Sequence, residues 1–156
     1  MQPQTMPINL LPDNTADGTK GHDALQDLHN RITDALEGFR VMAAEAEPSF
    51  RPVVERFVAM HEGHAATVAN MLMAGAAGGD LDGTLMGTVN RAVVSVRALF
   101  TDIDAGTLEN IRSGEEYVLE AFDRAIGAVG APADETALSA MQDELVTLLD
   151  DTHDPV

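Results

Sequence analysis

The sequence repeats one pattern along most of its length: apolar side chains recur three and four positions apart. That spacing aligns side chains on one face of an α-helix, whereas no segment shows the sustained alternation of a half-buried strand. Aromatic residues make up only 4% of the chain, so Ala, Leu, Val and Met supply the apolar surface. The pattern predicts helices over about residues 22–46, 50–75, 83–100, 105–128 and 134–152. We therefore expect an all-α fold.

The connections between these segments predict how the helices are arranged. Pro48 and Pro52 interrupt a short link between the first two helices, and Pro132 lies in a short link before the last one. Short links join antiparallel helices, whereas the connection between the second helix and the helix at 105–128 is long and carries the segment 83–100. Two helical hairpins joined by one long crossover are typical of a ferritin-like four-helix bundle.

The chain of 156 residues fits a single domain. We assign residues 21–153 to the bundle and residues 1–20, which hold three prolines among polar residues, to a flexible N-terminal arm. The arm lacks the basic start and apolar stretch of a signal peptide, and no run of about 18 apolar residues occurs. We therefore expect a cytoplasmic protein.

The charge balance excludes several classes of partner. There are 9 Lys and Arg residues against 26 Asp and Glu residues, which gives a formal net charge of −17. Such a surface repels nucleic acids and anionic membranes, so we expect neither as a partner. The chain has no Cys, which excludes disulfides, thiolate metal sites and cysteine nucleophiles.

A group of polar residues interrupts the apolar faces at one depth of the predicted bundle. His61 falls at the centre of the apolar face of the second helix, and His64 lies about 60° to one side of it. Glu115 occupies the middle of the apolar face of the helix at 105–128, and Gln142 lies at the edge of the face on the last helix. All four residues lie near the middle of their helices, so we predict a buried polar layer halfway along the bundle.

Two interpretations of this layer remain open. In one, His61, His64 and Glu115 bind a single metal ion, since two histidines and one carboxylate suit Fe(II) or Zn(II), with Gln142 hydrogen-bonded behind them. In the other, Glu115 accepts a hydrogen bond from one histidine, and the layer only fixes the register of the helices. The remaining histidines are expected at the surface: His22, His29 and His153.

The segments "GTLMGTVNRAVVSVRALFTDIDAGTLENIRSGEEYVLEAFDRAI" and "LQDLHNRITDALEGFRVMAAEA" resemble an uncharacterised bacterial family of ferritin-like four-helix bundles, a domain of unknown function. The resemblance spans about residues 22–152 and implies the ferritin-like fold without an activity. It also implies that Glu115 matches a family carboxylate, whereas Leu36 stands where members tend to carry a second one. The chain has no Glu-x-x-His, which a standard di-iron site requires twice, so we expect a degenerate site.

The sequence contains no Gly-x-Ser-x-Gly, no P-loop and no dinucleotide fingerprint, so we identify no catalytic residue and no small-molecule substrate. We expect a non-enzymatic structural or interaction protein, stress-related by loose analogy with the family. We also expect it to self-associate as a dimer, with the apolar face of residues 83–100 as a candidate surface. The alternative is a mononuclear iron or zinc protein that uses His61, His64 and Glu115.

Overall fold

The computed structural model describes residues 14–75 and 107–152. Within these residues it contains four α-helices and no strand, which confirms the all-α prediction for this part of the chain. The helices are α1 (Asn14–Glu45), α2 (Arg51–Gly75), α3 (Leu108–Ala128) and α4 (Pro132–Asp151). The helix predicted at 83–100 lies outside the described residues.

Two helices begin earlier than the sequence pattern predicts. Helix α1 begins at Asn14, so residues 14–20, which the sequence predicts as part of the arm, form its first turns. Residues 18–20 are exposed, so they add no apolar face that periodicity could detect. Helix α4 begins with Pro132 in its first turn, a position that needs no N–H donor and suits the fixed φ of proline.

Each helix packs against two others, so the four helices form a closed ring. Helix α1 lies against α2 and α3, and α4 lies against α3 and α2. The hairpin α1–α2 is held near its turn by Phe39 and Phe57, whose rings stack 4.7 Å apart. In the hairpin α3–α4, Arg112 Nη2 donates a 3.2 Å hydrogen bond to the Leu149 carbonyl.

The neighbours across the two hairpins are also antiparallel. In the first half of α1, Asp27 pairs with Arg124 near the end of α3 at 2.9 Å. Near the start of α2, Arg56 pairs with Asp151 at the end of α4 at 3.1 Å. Helices α2 and α3 therefore run in the same direction at opposite corners, so the chain leaves α2 at one end of the bundle and enters α3 at the other. No backbone contact joins α2 to α3 among the described residues.

The core is one apolar cluster to which all four helices contribute. Its residues without measurable exposure are Leu28, Ile32, Val54, Phe57, Val68, Ala121, Phe122, Ala125, Leu138 and Leu145. Removal of these apolar side chains from water is the main contribution that holds the helices together. Two polar side chains, His61 and Glu115, are buried as deeply as these apolar residues, and they define the site described next.

Candidate functional site

His61 and Glu115 form a hydrogen bond across the centre of the bundle. Nε2 of His61 lies 3.0 Å from Oε1 of Glu115, and the two side chains are 0% and 2% exposed. A carboxylate oxygen accepts, so the hydrogen-bond network assigns the proton to Nε2 of the imidazole. Because α2 and α3 occupy opposite corners, this bond spans the core between two helices whose backbones do not meet.

Stacked aromatic rings hold the imidazole of His61 in place. Phe39 of α1 stacks on His61 with ring centroids 5.4 Å apart and 24° between the ring planes. Phe57 of α2 in turn stacks on Phe39. A ring held by stacking keeps its hydrogen-bond direction fixed. The orientation of His61 toward Glu115 is therefore set by helices α1 and α2 together.

His64, one turn further along α2, faces a different carboxylate. Its Nε2 donates a 2.8 Å hydrogen bond to Oε2 of Glu144 on α4, whose side chain is 62% exposed. The edge of the buried imidazole meets the Phe122 ring, with centroids 5.8 Å apart. Burial lowers the pKa of His64 below its ordinary value, against the hydrogen bond and charge of Glu144, which raise it.

The structure therefore brings together only part of the predicted metal set. The rings of His61 and His64 meet edge to face at 6.2 Å, but their Nε2 atoms are bonded to carboxylates on different helices. Within residues 14–75 and 107–152, no three His, Asp or Glu side chains are grouped so that they could hold one metal ion. Buried atoms without a hydrogen-bond partner among these residues include Nδ1 of His61, Nδ1 of His64 and Oε2 of Glu115.

Gln142 lies at the predicted depth but faces another way. Its amide nitrogen donates to Oδ1 of Asp123 at 2.7 Å and to the Leu119 carbonyl at 3.4 Å. These bonds join α4 to α3 on the outer side of the hairpin. Gln142 thus makes no hydrogen bond to either histidine.

The sequence reasoning missed Glu144. Gln142 and Glu144 border opposite edges of the apolar face of α4, and either could line the layer if that edge faced α2. In the structure the Glu144 edge faces α2 and the Gln142 edge faces α3. The only signal available in the sequence was that Glu144 borders the face at the right depth.

The prediction that His29 lies at the surface is wrong. Its side chain is buried on α1, with Nδ1 unpartnered among the described residues. Burial lowers its pKa below the ordinary value. His29 borders the apolar face of α1, and that face is wide because α1 makes more extensive contacts with its two neighbours, α2 and α3, than the other helices do. Of the other two histidines, His22 is half-buried and His153 lies outside the described residues.

Leu36 and the exposed neighbours of the layer lie where the helical pattern predicts. Leu36 is buried in α1, so the position that faces the core there carries no carboxylate. Glu116 is exposed beside the buried Glu115, and Glu62 is exposed beside His61, where it pairs with Arg40 at 2.9 Å. The layer therefore contains one fully buried carboxylate.

The fold and the site together define an all-helical domain with histidine–carboxylate pairs inside a four-helix arrangement. A family described as "Domain of unknown function (DUF2383)" matches residues 20–128, which is well over half of the chain. The chain belongs to this family. The match ends with α3, so α4 and its Glu144 lie beyond it. No curated protein and no solved structure matches the chain. Among the described helices, none is both long enough and apolar enough to cross a bilayer.

Proposed function

We propose that this chain is a ferritin-like bundle that acts as a non-enzymatic structural or interaction protein, with a degenerate metal layer that fixes helix register. The ferritin-like assignment is supported by the order of the helices: two antiparallel hairpins, with α2 and α3 parallel at opposite corners. A bundle with one long connection between its hairpins has this topology.

The observation that carries the functional proposal is the division of the two histidines between two carboxylates. His61 bonds to Glu115 on α3, and His64 bonds to Glu144 on α4. A metal site would need these nitrogens to converge on one point, whereas here each is committed to a separate helix pair. Sliding α2 by one turn would break both bonds and leave buried polar groups unpaired, so the layer favours a single register.

The residues of a dinuclear iron centre are also missing from this layer. Such a centre takes a Glu from each of two helices and a Glu-x-x-His from each of the other two. Three residues before His61 stands Val58, and three residues before His64 stands His61 itself. On α1 the buried residue is Leu36. One buried carboxylate and no Glu-x-x-His support the proposal that the site is degenerate.

The proposal is tested by asking whether metal stabilises the protein. A metal that binds only the native state raises the melting temperature by mass action. We expect wild-type protein purified without a histidine tag to melt at the same temperature in EDTA, in Zn(II) and in anaerobic Fe(II). Elemental analysis of the same preparation should find no stoichiometric iron or zinc. Glu116→Gln, an exposed neighbour on the same helix, serves as the matched control for Glu115→Gln.

One observation favours the alternative, a mononuclear metal site at His61, His64 and Glu115. All three residues carry a buried atom without a partner among the described residues, and such atoms could turn toward an ion. That alternative requires about one equivalent of bound metal and a higher melting temperature. It also requires His61→Ala and Glu115→Gln to abolish both effects while Glu116→Gln retains them. This pattern would overturn the structural proposal.

We further propose that the protein is cytoplasmic and self-associates as a dimer. The described residues offer few exposed apolar side chains for a contact: Met73, Tyr117 and Val146 lie on three different helices. The candidate surface at 83–100 lies outside the described residues. Sedimentation velocity of the full chain over a hundredfold range of concentration tests this part, and a monomer throughout would refute it.

A further inference from the structure

An apolar groove with a volume of about 300 Å³ lies between α1 and α3. Its apolar lining includes Phe39 and Met42 from α1 and Ile111 and Val118 from α3. These residues lie in the half of the bundle where α1 ends and α3 begins. Protein interiors are close-packed, and a space of this size beside two helices leaves apolar side chains without part of their contacts. The groove is therefore a surface that an apolar segment would complete.

The connection between the two hairpins passes either this groove or the opposite side of the bundle. Helices α2 and α3 are parallel at opposite corners, so residues 76–106 run from the end of α2 to the other end of the bundle, where α3 begins. They can do so over α1 or over α4. The groove lies on the α1 side and reaches Asn110 and Ile111, within one turn of the start of α3. The last part of the connection therefore joins α3 beside the groove.

Residues 83–100 have the length and the pattern to fill the groove. Helix α3, with 21 residues, is about 31 Å long, and the helix that the sequence predicts over 83–100 would span about 27 Å of that distance. An amphipathic helix needs a surface on which its apolar face is buried. Because these residues lead from the end of α2 to the start of α3, the second half of such a helix is level with the groove. The apolar face consists of Leu85, Val89, Val93, Val96, Leu99 and Phe100.

The other parts of the sequence outside the described ranges fit the groove less well. From the apolar stretch at residues 8–11 to Asn14 the chain reaches at most about 22 Å when fully extended. The apolar lining on α1 begins at Ala35, about 31 Å further along the helix. Residues 153–156 hold a single aliphatic side chain, that of Val156. Reach and apolar content therefore favour the connection between the hairpins.

Charge also favours residues 83–100. Asp34 lines the groove half-buried and makes no hydrogen bond or ion pair with another described residue. Its burial raises the pKa of this carboxyl group, and the charge of Arg31 lowers it. Residues 83–100 hold two arginines and no acidic residue, in a chain with 26 Asp and Glu residues. At about 100° per residue, Arg97 borders the apolar face and Arg91 lies on the opposite side. An arginine beside the apolar face thus complements a carboxylate in the groove.

We propose that residues 83–100 pack along the groove between α1 and α3. Val93 and Val96 then lie against its apolar lining, and Arg97 pairs with Asp34. The connection passes over α1 and not over α4. This inference goes beyond the structural role proposed above, because it assigns the groove an occupant. An apolar face buried in this way is not available for a contact between subunits, so a dimer uses another surface.

Spin labels locate the connection in the full chain, because the sequence has no Cys and one introduced cysteine carries the only label. Arg31→Cys places a nitroxide at the groove on α1, and Val146→Cys places one on the exposed side of α4. We expect the label on α1 to broaden the amide NMR signals of residues 93–100 and the label on α4 to leave them sharp. In a mixture of labelled chains with unlabelled ¹⁵N chains, these signals should stay sharp, since the occupant belongs to the same chain.

The ion pair is tested through the sign of one substitution. A half-buried carboxylate without a partner is unfavourable, so Asp34→Asn should raise the melting temperature if nothing pairs with it. If Arg97 pairs with Asp34, the same substitution should lower the melting temperature by about 2–4 °C. Arg97→Gln should lower it similarly, and the double variant should lose less than the sum of the two. Arg91→Gln, on the opposite side of the predicted helix, is the matched control and should change little.

Three results overturn the proposal. The first is the absence of broadening from the label on α1, and broadening from the label on α4 would then place the connection over α4. The second is broadening in the mixed sample, which would show that a second copy of the chain fills the groove. The third is a higher melting temperature for Asp34→Asn, which would show that the carboxylate has no partner. None of these measurements reports metal content or molecular mass, so this proposal and the proposed function fail separately.

Discussion

The hydrogen bond between His61 and Glu115 predicts an unusual pattern in a double-mutant cycle. The perturbations are His61→Leu, Glu115→Leu and the two together, since leucine is apolar and fills a similar volume at each fully buried position. Removing one partner leaves the other polar and buried without a hydrogen bond, whereas removing both leaves an apolar core. We therefore expect the double variant to be more stable than either single variant.

The magnitudes follow from what each single variant leaves behind. His61→Leu leaves Glu115 with neither oxygen bonded, because Oε1 loses its donor and Oε2 has none among the described residues. Breaking a buried pair in this way costs about 3–5 kcal/mol. Glu115→Leu leaves the Nε2–H of His61 unpartnered, which costs about 1–3 kcal/mol. The double variant should lie within about 1 kcal/mol of wild type or above it.

The assay is urea unfolding followed by far-ultraviolet circular dichroism, because the chain has no Trp and a single Tyr to report by fluorescence. In thermal unfolding followed by the same signal, His61→Leu should lower the melting temperature of a chain of this length by about 6–20 °C. Glu62→Leu, an exposed neighbour of His61, is the control and should change little. If the double variant lost the sum of the two single losses, His61 and Glu115 would be independent, and the proposed layer would be refuted.

Four further predictions concern the same helices. Stability should fall as the pH drops from about 7 to about 5, because burial holds the pKa of His64 below its unfolded value and the unfolded chain takes up the proton first. The midpoint of urea unfolding at each pH measures this fall, and His64→Gln should reduce the dependence of the midpoint on pH. Glu144→Gln should lower the pKa of His64 further, because the hydrogen bond and charge of Glu144 raise it, and an NMR titration of the ring would show the change. Gly63→Ala should stabilise by about 0.5–1 kcal/mol, because a Cβ there meets nothing within 4 Å. Gly21→Ala should instead destabilise, because its Cβ would lie 3.1 Å from the Ala128 carbonyl oxygen, and unfolding of the two variants distinguishes them.

The helices of this protein could be predicted because each buries one face against its neighbours. The spacing of apolar residues therefore fixed α2 to within one residue and α3 to within three. The start of α1 could not be found in this way, because residues 18–20 are exposed and bury no apolar face. The burial of His29 was missed for a related reason. The width of an apolar face depends on how extensively its neighbours pack, and α1 makes more extensive contacts with its two neighbours than the other helices do.

The sequence could predict the height of the site along the bundle, but not which neighbouring helix each side chain faces. Counting along the helices placed His61 and Glu115 at one height, and they are hydrogen-bonded. The same count placed His64 and Gln142 near that height, but the partner of His64, which is Glu144, depends on which edge of α4 faces α2. The arrangement of the helices around the ring determines which edge of α4 faces α2. A pattern within one helix contains no information about it.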